Sequence, residues 1–232
     1  MTGEKDFFLD KNLVDYVQKQ DDDNCNFHTN PNGNLQIDCY EIVIDPFDNI
    51  GYPLPTNLFA DLVLISHEHH DHNNIALLKG TPAVFRTPGS YQFKQAQIEL
   101  IQVFHDNSGG SQRGKNNLIK ITADGYNLVH CGDLGHLPDI EVLAKIGKPD
   151  ILMIPVGEIY TLSLQEVWSF IKALEPILVF PMHYRTPNLR FGLGELSAFL
   201  KNAPHYTTWG SESIEISADL LEKPDVIVMK TP

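Results

Sequence analysis

A chain of 232 residues with 30 acidic and 17 basic side chains, formal charge −13, is unsuited to a phosphate-backbone groove, which draws its affinity from clustered Lys and Arg. Its length suits one large domain able to bury roughly 70–75% of its unfolded surface. No run of 18 apolar residues and no basic segment leading into an apolar core occurs, so neither membrane insertion nor export is expected. Cys25, Cys39 and Cys131 are an odd, widely spaced set, read as reduced thiols rather than a disulfide framework, and the expected compartment is the cytoplasm.

In chain order, strands are expected over 42–45, 62–66, 83–86, 99–104, 118–122, 127–131, 151–154, 177–180 and 226–229, where apolar, β-branched runs end in turn residues. Helices are expected over 73–79, 139–146, 163–174 and 193–202, the third opening on a capping box of Ser163 and Glu166. Alternation of the two element types indicates an α/β protein. The polar stretches 18–34 and 106–117 read as surface loops, the second long enough to be functional. Asp21–Asp23 reads as a solvated turn, since no calcium-loop spacing follows it.

The densest chemistry is His67-Glu68-His69-His70-Asp71-His72, directly after the apolar run Leu62-Val63-Leu64-Ile65-Ser66. Alternate residues of an extended chain point the same way, so His67 and His69 approach one ion together. A turn at Asn73-Asn74 would aim Asp71 and His72 at a second point, as a two-metal site requires, with ions ~3.5–4 Å apart. Six residues cannot satisfy two ions, so more ligands must follow. Candidates are His105, ahead of Asn107-Ser108-Gly109-Gly110; Asp133, in the turn-like Gly132-Asp133-Leu134-Gly135; and His183, closing 177–183. His70, His130 and His205 read as structural. His136, three residues beyond Asp133, is expected to orient a ligand or donate a proton.

This series of motifs resembles the metallo-β-lactamase-fold hydrolases, and within them the bacterial and archaeal zinc-dependent hydrolases related to L-ascorbate-6-phosphate lactonase. The resembling stretches are DPFDNIGYPLP, DLVLISHEHHDHN, FHDNSGGSQRGKNN, HCGDLGH, IPVGEIYTL and PMHYRTP, running from about Asp45 to Pro187. The resemblance implies a four-layer αββα sandwich of two mixed sheets flanked by helices. It also implies His67, His69 and His105 around one divalent ion, Asp71, His72 and His183 around a second, and Asp133 bridging both. Zinc is the first expectation for the two ions, with manganese, iron or nickel as alternatives. The departures are an N-terminal region, residues 1–40, without the group's Gly-His-small-small opening, His28 being at most a displaced relic, and Glu158 where a second glycine is usual.

The implied reaction is hydrolysis of a lactone, ester or phosphoester by hydroxide bridging the two ions, with Asp71 and Asp133 positioning it. The expected partner is a small-molecule substrate, with no nucleic acid and no membrane, and a homo-oligomer left open. Arg113 and Lys115, beside Gly109-Gly110, suggest a small anionic group on that substrate. Tyr160, Tyr184 and Arg185 are further pocket candidates. Three alternatives carry weight: a phosphodiesterase or nuclease sharing the two-metal chemistry, a non-catalytic metal-binding protein, and a flavodiiron oxidoreductase. The last usually carries Glu where this chain has His69, and needs a flavin domain.

Overall fold

A computed structural model describes residues 7–10, 15–17, 35–37, 40–48, 50–51, 57–123 and 125–231. Cys25, Cys39, His28, the Asp21–Asp23 turn and the loop 18–34 lie outside the described residues. Strands in chain order are β1 (Phe7–Asp10), β2 (Asp15–Val17), β3 (Leu35–Ile37), β4 (Tyr40–Ile44), β5 (Leu62–Leu64), β6 (Ala83–Phe85), β7 (Gly89–Phe93) and β8 (Ala96–Phe104). They continue as β9 (Lys115–Ala123), β10 (Tyr126–His130), β11 (Ile151–Pro155), β12 (Leu178–Met182), β13 (Thr207–Thr208), β14 (Ser213–Ile216) and β15 (Asp225–Val228). The helices are α1 (Ile140–Ile146), α2 (Leu164–Leu174) and α3 (Leu196–Leu200). None of the helices among the described residues is long and apolar enough to cross a membrane.

The chain forms two compact units, one comprising residues 1–86, 208–222 and 229–232, the other 87–207 and 223–228. In the first, β4, β5 and β6 run parallel, with Ile42 opposite Leu62 and Leu62 opposite Ala83. β2 and β3 pair antiparallel with β4, and β1 pairs with β14. Tyr40, Ile42, Ile44, Leu62, Val63, Leu64 and Ile65 are all buried. A strand apolar on both faces reads as a continuous hydrophobic run, which is how 62–65 reads.

In the second unit the sheet order is β13-β15-β12-β11-β10-β9-β8-β7. β8, β9 and β10 are antiparallel neighbours, while β10, β11, β12 and β15 are parallel. Strands β8, β10, β11 and β12 therefore point the same way, and their C-terminal ends share one edge of the sheet. Helix α2 starts on the expected capping box, Ser163 N–H donating to Glu166 Oε2 at 2.9 Å. It lays Val167, Phe170 and Leu174 into a core that includes Leu152, Ile154, Val179 and Phe199. Trp168 stacks on Phe199 of α3, ring centroids 4.6 Å apart.

Two expected helices are shorter in the structure. Only a 3₁₀ turn, Ile75–Leu77, forms within 73–79, because Asn74 supplies no side-chain cap and Lys79 N–H already donates to Leu58 O at 2.8 Å. At 193–202 the helix begins at Leu196, since Gly194 N–H donates to Gly157 O at 2.8 Å and keeps the preceding residues extended. Replacement of the fully buried Phe199 by Ala should lower stability by about 3–5 kcal/mol, through lost transfer energy and a cavity beside Trp168. Urea unfolding followed by tryptophan fluorescence measures that loss.

Candidate metal centre

In the first unit the donors collect where parallel strands end. Asp45 follows β4 with φ of 50°, and its N–H donates to Leu64 O at 3.0 Å, placing its carboxylate at the end of β5. That carboxylate accepts Ser66 N–H on Oδ1 at 2.7 Å and Ser66 Oγ–H on Oδ2 at 2.5 Å. His72 Nδ1 lies 3.0 Å from the same Oδ2, and Ser66 Oγ lies 2.9 Å from His67 Nδ1. With Nδ1 engaged in both imidazoles, the Nε2 lone pair is the one left to face a cation, the usual arrangement of a metal-binding histidine and its supporting carboxylate. His72 N–H donates to His69 O at 3.0 Å, the turn that the motif requires to bring residue 72 back. The His67 ring sits 4.6 Å from His69 and 4.1 Å from His72, centroid to centroid.

The donor set fits a divalent cation. Ligand atoms of Asp45, His67 and His72 all lie within 4.8 Å of one another, as do those of His67 and His69. Asp71 Oδ2 is 4.0 Å from His72 Nε2, while His70 points outward, its side chain 78% exposed, as the alternation demands. Glu68 is fixed by Arg86 Nη1 at 3.2 Å and by Asn73 Nδ2 at 3.1 Å.

In the second unit His105 follows β8, Asp133 follows β10 and His183 follows β12, so three ligand candidates stand on one sheet edge. A single carboxylate oxygen, Asp133 Oδ2, lies 3.0 Å from His105 Nε2 and 3.5 Å from His183 Nε2. Ligands about 2.1 Å from one ion stand roughly 3.0–3.4 Å apart at octahedral to tetrahedral angles, so each histidine stands about as far from Asp133 as two ligands of one cation do. Asp133 is held by Asn116, whose Oδ1 accepts Asp133 N–H at 3.1 Å and whose Nδ2 donates to Cys131 O at 2.8 Å. Gly132 turns the chain with φ of 52°, its N–H donating to His130 Nδ1 at 3.1 Å. Gly135 and Gly157 permit close approach: a Cβ would stand 2.3 Å from the His105 carbonyl carbon in the first case and 2.2 Å from His183 O in the second. Burial pushes the Cys131 thiol up, so it stays protonated and inert.

The remaining sequence candidates separate. His136 Nε2 accepts Phe104 N–H at 3.2 Å and its Nδ1 lies 2.9 Å from Leu137 O. Both ring nitrogens of His136 are thus engaged by main chain. Tyr184 is buried in the apolar core of the second unit. Arg185 is a surface residue whose Nε lies 3.5 Å from Glu195 Oε1. Lys115 is exposed at the start of β9, Tyr160 is 45% exposed, and Glu158 Oε1 accepts Leu164 N–H at 3.2 Å.

Sequence reasoning missed Asp45, Ser66, Asp106 and Asn116. Asp106 is buried and organises the loop after His105: Oδ1 accepts the N–H of Ser108 (2.7 Å) and Gly110 (2.9 Å), and Oδ2 those of Gln112 (3.0 Å) and Arg113 (2.7 Å). Burial opposes ionisation, yet the backbone donors of Arg113, Ser108, Gln112 and Gly110 together outweigh it and lower the Asp106 pKa to about 2. An acidic residue following a strand and preceding Ser-Gly-Gly was the available signal for such a turn.

Comparison with known proteins comes from three directions. A family model described as a beta-lactamase superfamily domain matches residues 35–183. A UPF0173 metal-dependent hydrolase of Thermoplasma acidophilum is 26% identical over 173 residues, covering 64% of this chain and 77% of the relative. Another from Desulforamulus reducens is 29% identical over 175 residues, covering 62% and 77%. A Thermotoga maritima crystal structure, described as a Zn-dependent hydrolase of the metallo-beta-lactamase superfamily, superposes with TM-score 0.76 at 27% identity, over 98% of this chain and 100% of that one.

Two expected outcomes follow from the supports. Asp45→Ala should weaken zinc binding about 10–100-fold, measured by competition with a chromophoric chelator, because His72 loses the partner that orients it. Asp106→Asn should speed amide hydrogen exchange over residues 108–113 at least about tenfold, since an amide nitrogen would confront two backbone donors.

Proposed function

This chain belongs to the metallo-β-lactamase superfamily and has its fold, and we propose that it is a metal-dependent hydrolase acting on a lactone, ester or phosphoester of a small molecule. Within the superfamily, the motif series HEHHDH, GDLGH and PMHY supports a place among the zinc-dependent hydrolases related to L-ascorbate-6-phosphate lactonase. The residues proposed as ligands of two divalent ions, zinc first, are His67, His69, Asp71 and His72 in one unit and His105, Asp133 and His183 in the other.

The observation that carries the reading is Asp133 Oδ2, buried and set 3.0 and 3.5 Å from two imidazole nitrogens. Bound there, such ions would supply Lewis acidity, lowering the pKa of water and stabilising negative charge that develops on the substrate. The chain's own residues do the positioning. Asp45 and Ser66 hold the Nδ1 atoms of His72 and His67, and Asn116 sets the turn that aims Asp133. His136 ties the Asp133 loop to the end of β8, fixing the height of His105 relative to Asp133.

Elemental analysis of purified protein should find close to two metals per chain. His69→Ala and Asp133→Ala should each lose metal and at least about a hundredfold of turnover on a lactone, ester and phosphodiester panel. Wild-type protein that remains metal-free after incubation with zinc, manganese or iron would sink the proposal.

A further inference from the structure

The loop after His105 carries a cation prepared for an anion. Arg113 is partly buried, and its guanidinium carbon stands 5.2 Å from the ring centroid of Tyr160, a cation–π arrangement. Among the described residues no carboxylate pairs with it. Elsewhere Arg86 pairs with Glu68, and Arg185 with Glu195. In a chain with 30 acidic and 17 basic side chains, a partly buried arginine left without an acid among the described residues is the exception. Glu158, two residues before Tyr160, turns its carboxylate to Leu164 N–H instead.

Both partners are held rigidly and next to ligand candidates of the same unit. Arg113 N–H donates to buried Asp106 Oδ2 at 2.7 Å, and His105 N–H closes the loop on Gly114 O at 3.1 Å. Gly110, with φ of +80°, packs where a Cβ would meet Phe104 at 2.8 Å and Gly114 O at 2.9 Å, so the loop has little room to relax. On the other side Gly157 abuts His183, and Leu162 N–H donates to Leu134 O at 3.0 Å, beside Asp133. Tyr160 itself adopts φ of 75°, a left-handed conformation that a tyrosine takes only when its surroundings require it.

We propose that Arg113, stacked on Tyr160, is a subsite for a terminal oxyanion of the substrate, a carboxylate or phosphate distant from the bond that is cleaved. A guanidinium fixed on one face by an aromatic ring keeps its edge N–H groups for bidentate recognition of such a group. The subsite deepens the hydrolase reading, and on that reading it selects anionic lactones or esters over neutral ones.

The test compares 4-nitrophenyl acetate with the singly charged 4-nitrophenyl hemisuccinate on the zinc-loaded full chain. The wild type should favour the hemisuccinate in kcat/KM, and Arg113→Ala should cut that preference at least tenfold, chiefly through KM. Arg113→Lys and Tyr160→Leu should fall between, and Lys201→Ala, an equal change of net charge on the exposed end of α3, should leave the preference intact. Titration calorimetry with succinate and with inorganic phosphate reads the subsite without turnover. Weakening of either anion at least tenfold in Arg113→Ala supports it even if neither ester is cleaved, an outcome that counts against the hydrolase reading alone, and the stronger of the two identifies the oxyanion. Equal loss on both esters, or anion binding unchanged in Arg113→Ala, overturns the subsite.

Discussion

The hydrogen bonds received by Asp45 are the constraint on which the ligand candidates of the first unit depend. A histidine offers a cation one nitrogen, and only if the other is held so that the ring cannot rotate or exchange tautomer. One buried carboxylate takes Ser66 N–H, Ser66 Oγ–H and His72 Nδ1, and Ser66 Oγ in turn reaches His67 Nδ1. The positive φ of Asp45 is the cost of aiming a residue at the end of β4 across the end of β5. Parallel pairing makes this geometry available, because strand C-termini in such a sheet open onto one edge.

The second unit uses a different device with the same purpose. Here the supports are backbone contacts between loops: Gly135 N–H donates to Phe104 O at 3.0 Å while Phe104 N–H donates to His136 Nε2 at 3.2 Å. The turn bearing Asp133 is thereby laced to the last residue of β8, one position before His105. Gly135 cannot carry a side chain at that approach, since a Cβ would overlap the His105 carbonyl. Gly157 plays the same part toward His183. Small residues in GDLGH and IPVGE are thus packing devices that let ligand-bearing segments touch.

Much of this was legible in the chain. The runs 62–66, 99–104, 127–131, 151–154 and 177–180 are apolar enough to be central strands, and all appear within a residue or two of their expected place or as part of a longer strand. Residue types with strong chemistry, His and Asp at strand ends, announced themselves. Asn116 and Ser66 did not, because Asn116 hydrogen-bonds main chain 15 and 17 residues away, Ser66 hydrogen-bonds the side chains of Asp45 and His67, and an Asn inside a strand reads as ordinary polarity. β7 escaped notice because it is an edge strand, half-exposed and opening on glycine. The helix expected over 73–79 failed because main-chain pairing of Lys79 with Leu58 outcompeted a weak, uncapped helical turn. Local propensity decides an element only where no tertiary hydrogen bond claims its backbone.

Three carboxylates buried among the described residues, Asp45, Asp106 and Asp133, show how the protein handles charge away from water. A buried carboxylate is tolerable only when its oxygens are met by donors or cations. Asp106 is met by four backbone N–H groups, which hold its pKa below the usual carboxylate range. Asp45 is met by Ser66 and His72. Asp133 instead turns one oxygen to the Nε2 atoms of both His105 and His183. Two imidazoles meet that oxygen as donors only if each carries its proton on Nε2; divalent metal beside the carboxylate would let both use Nε2 lone pairs and would neutralise the carboxylate as well. The contrast with Asp106 lies in the kind of partner: backbone N–H groups hold Asp106, whereas Asp133 faces two imidazole nitrogens, donor types that suit a divalent cation.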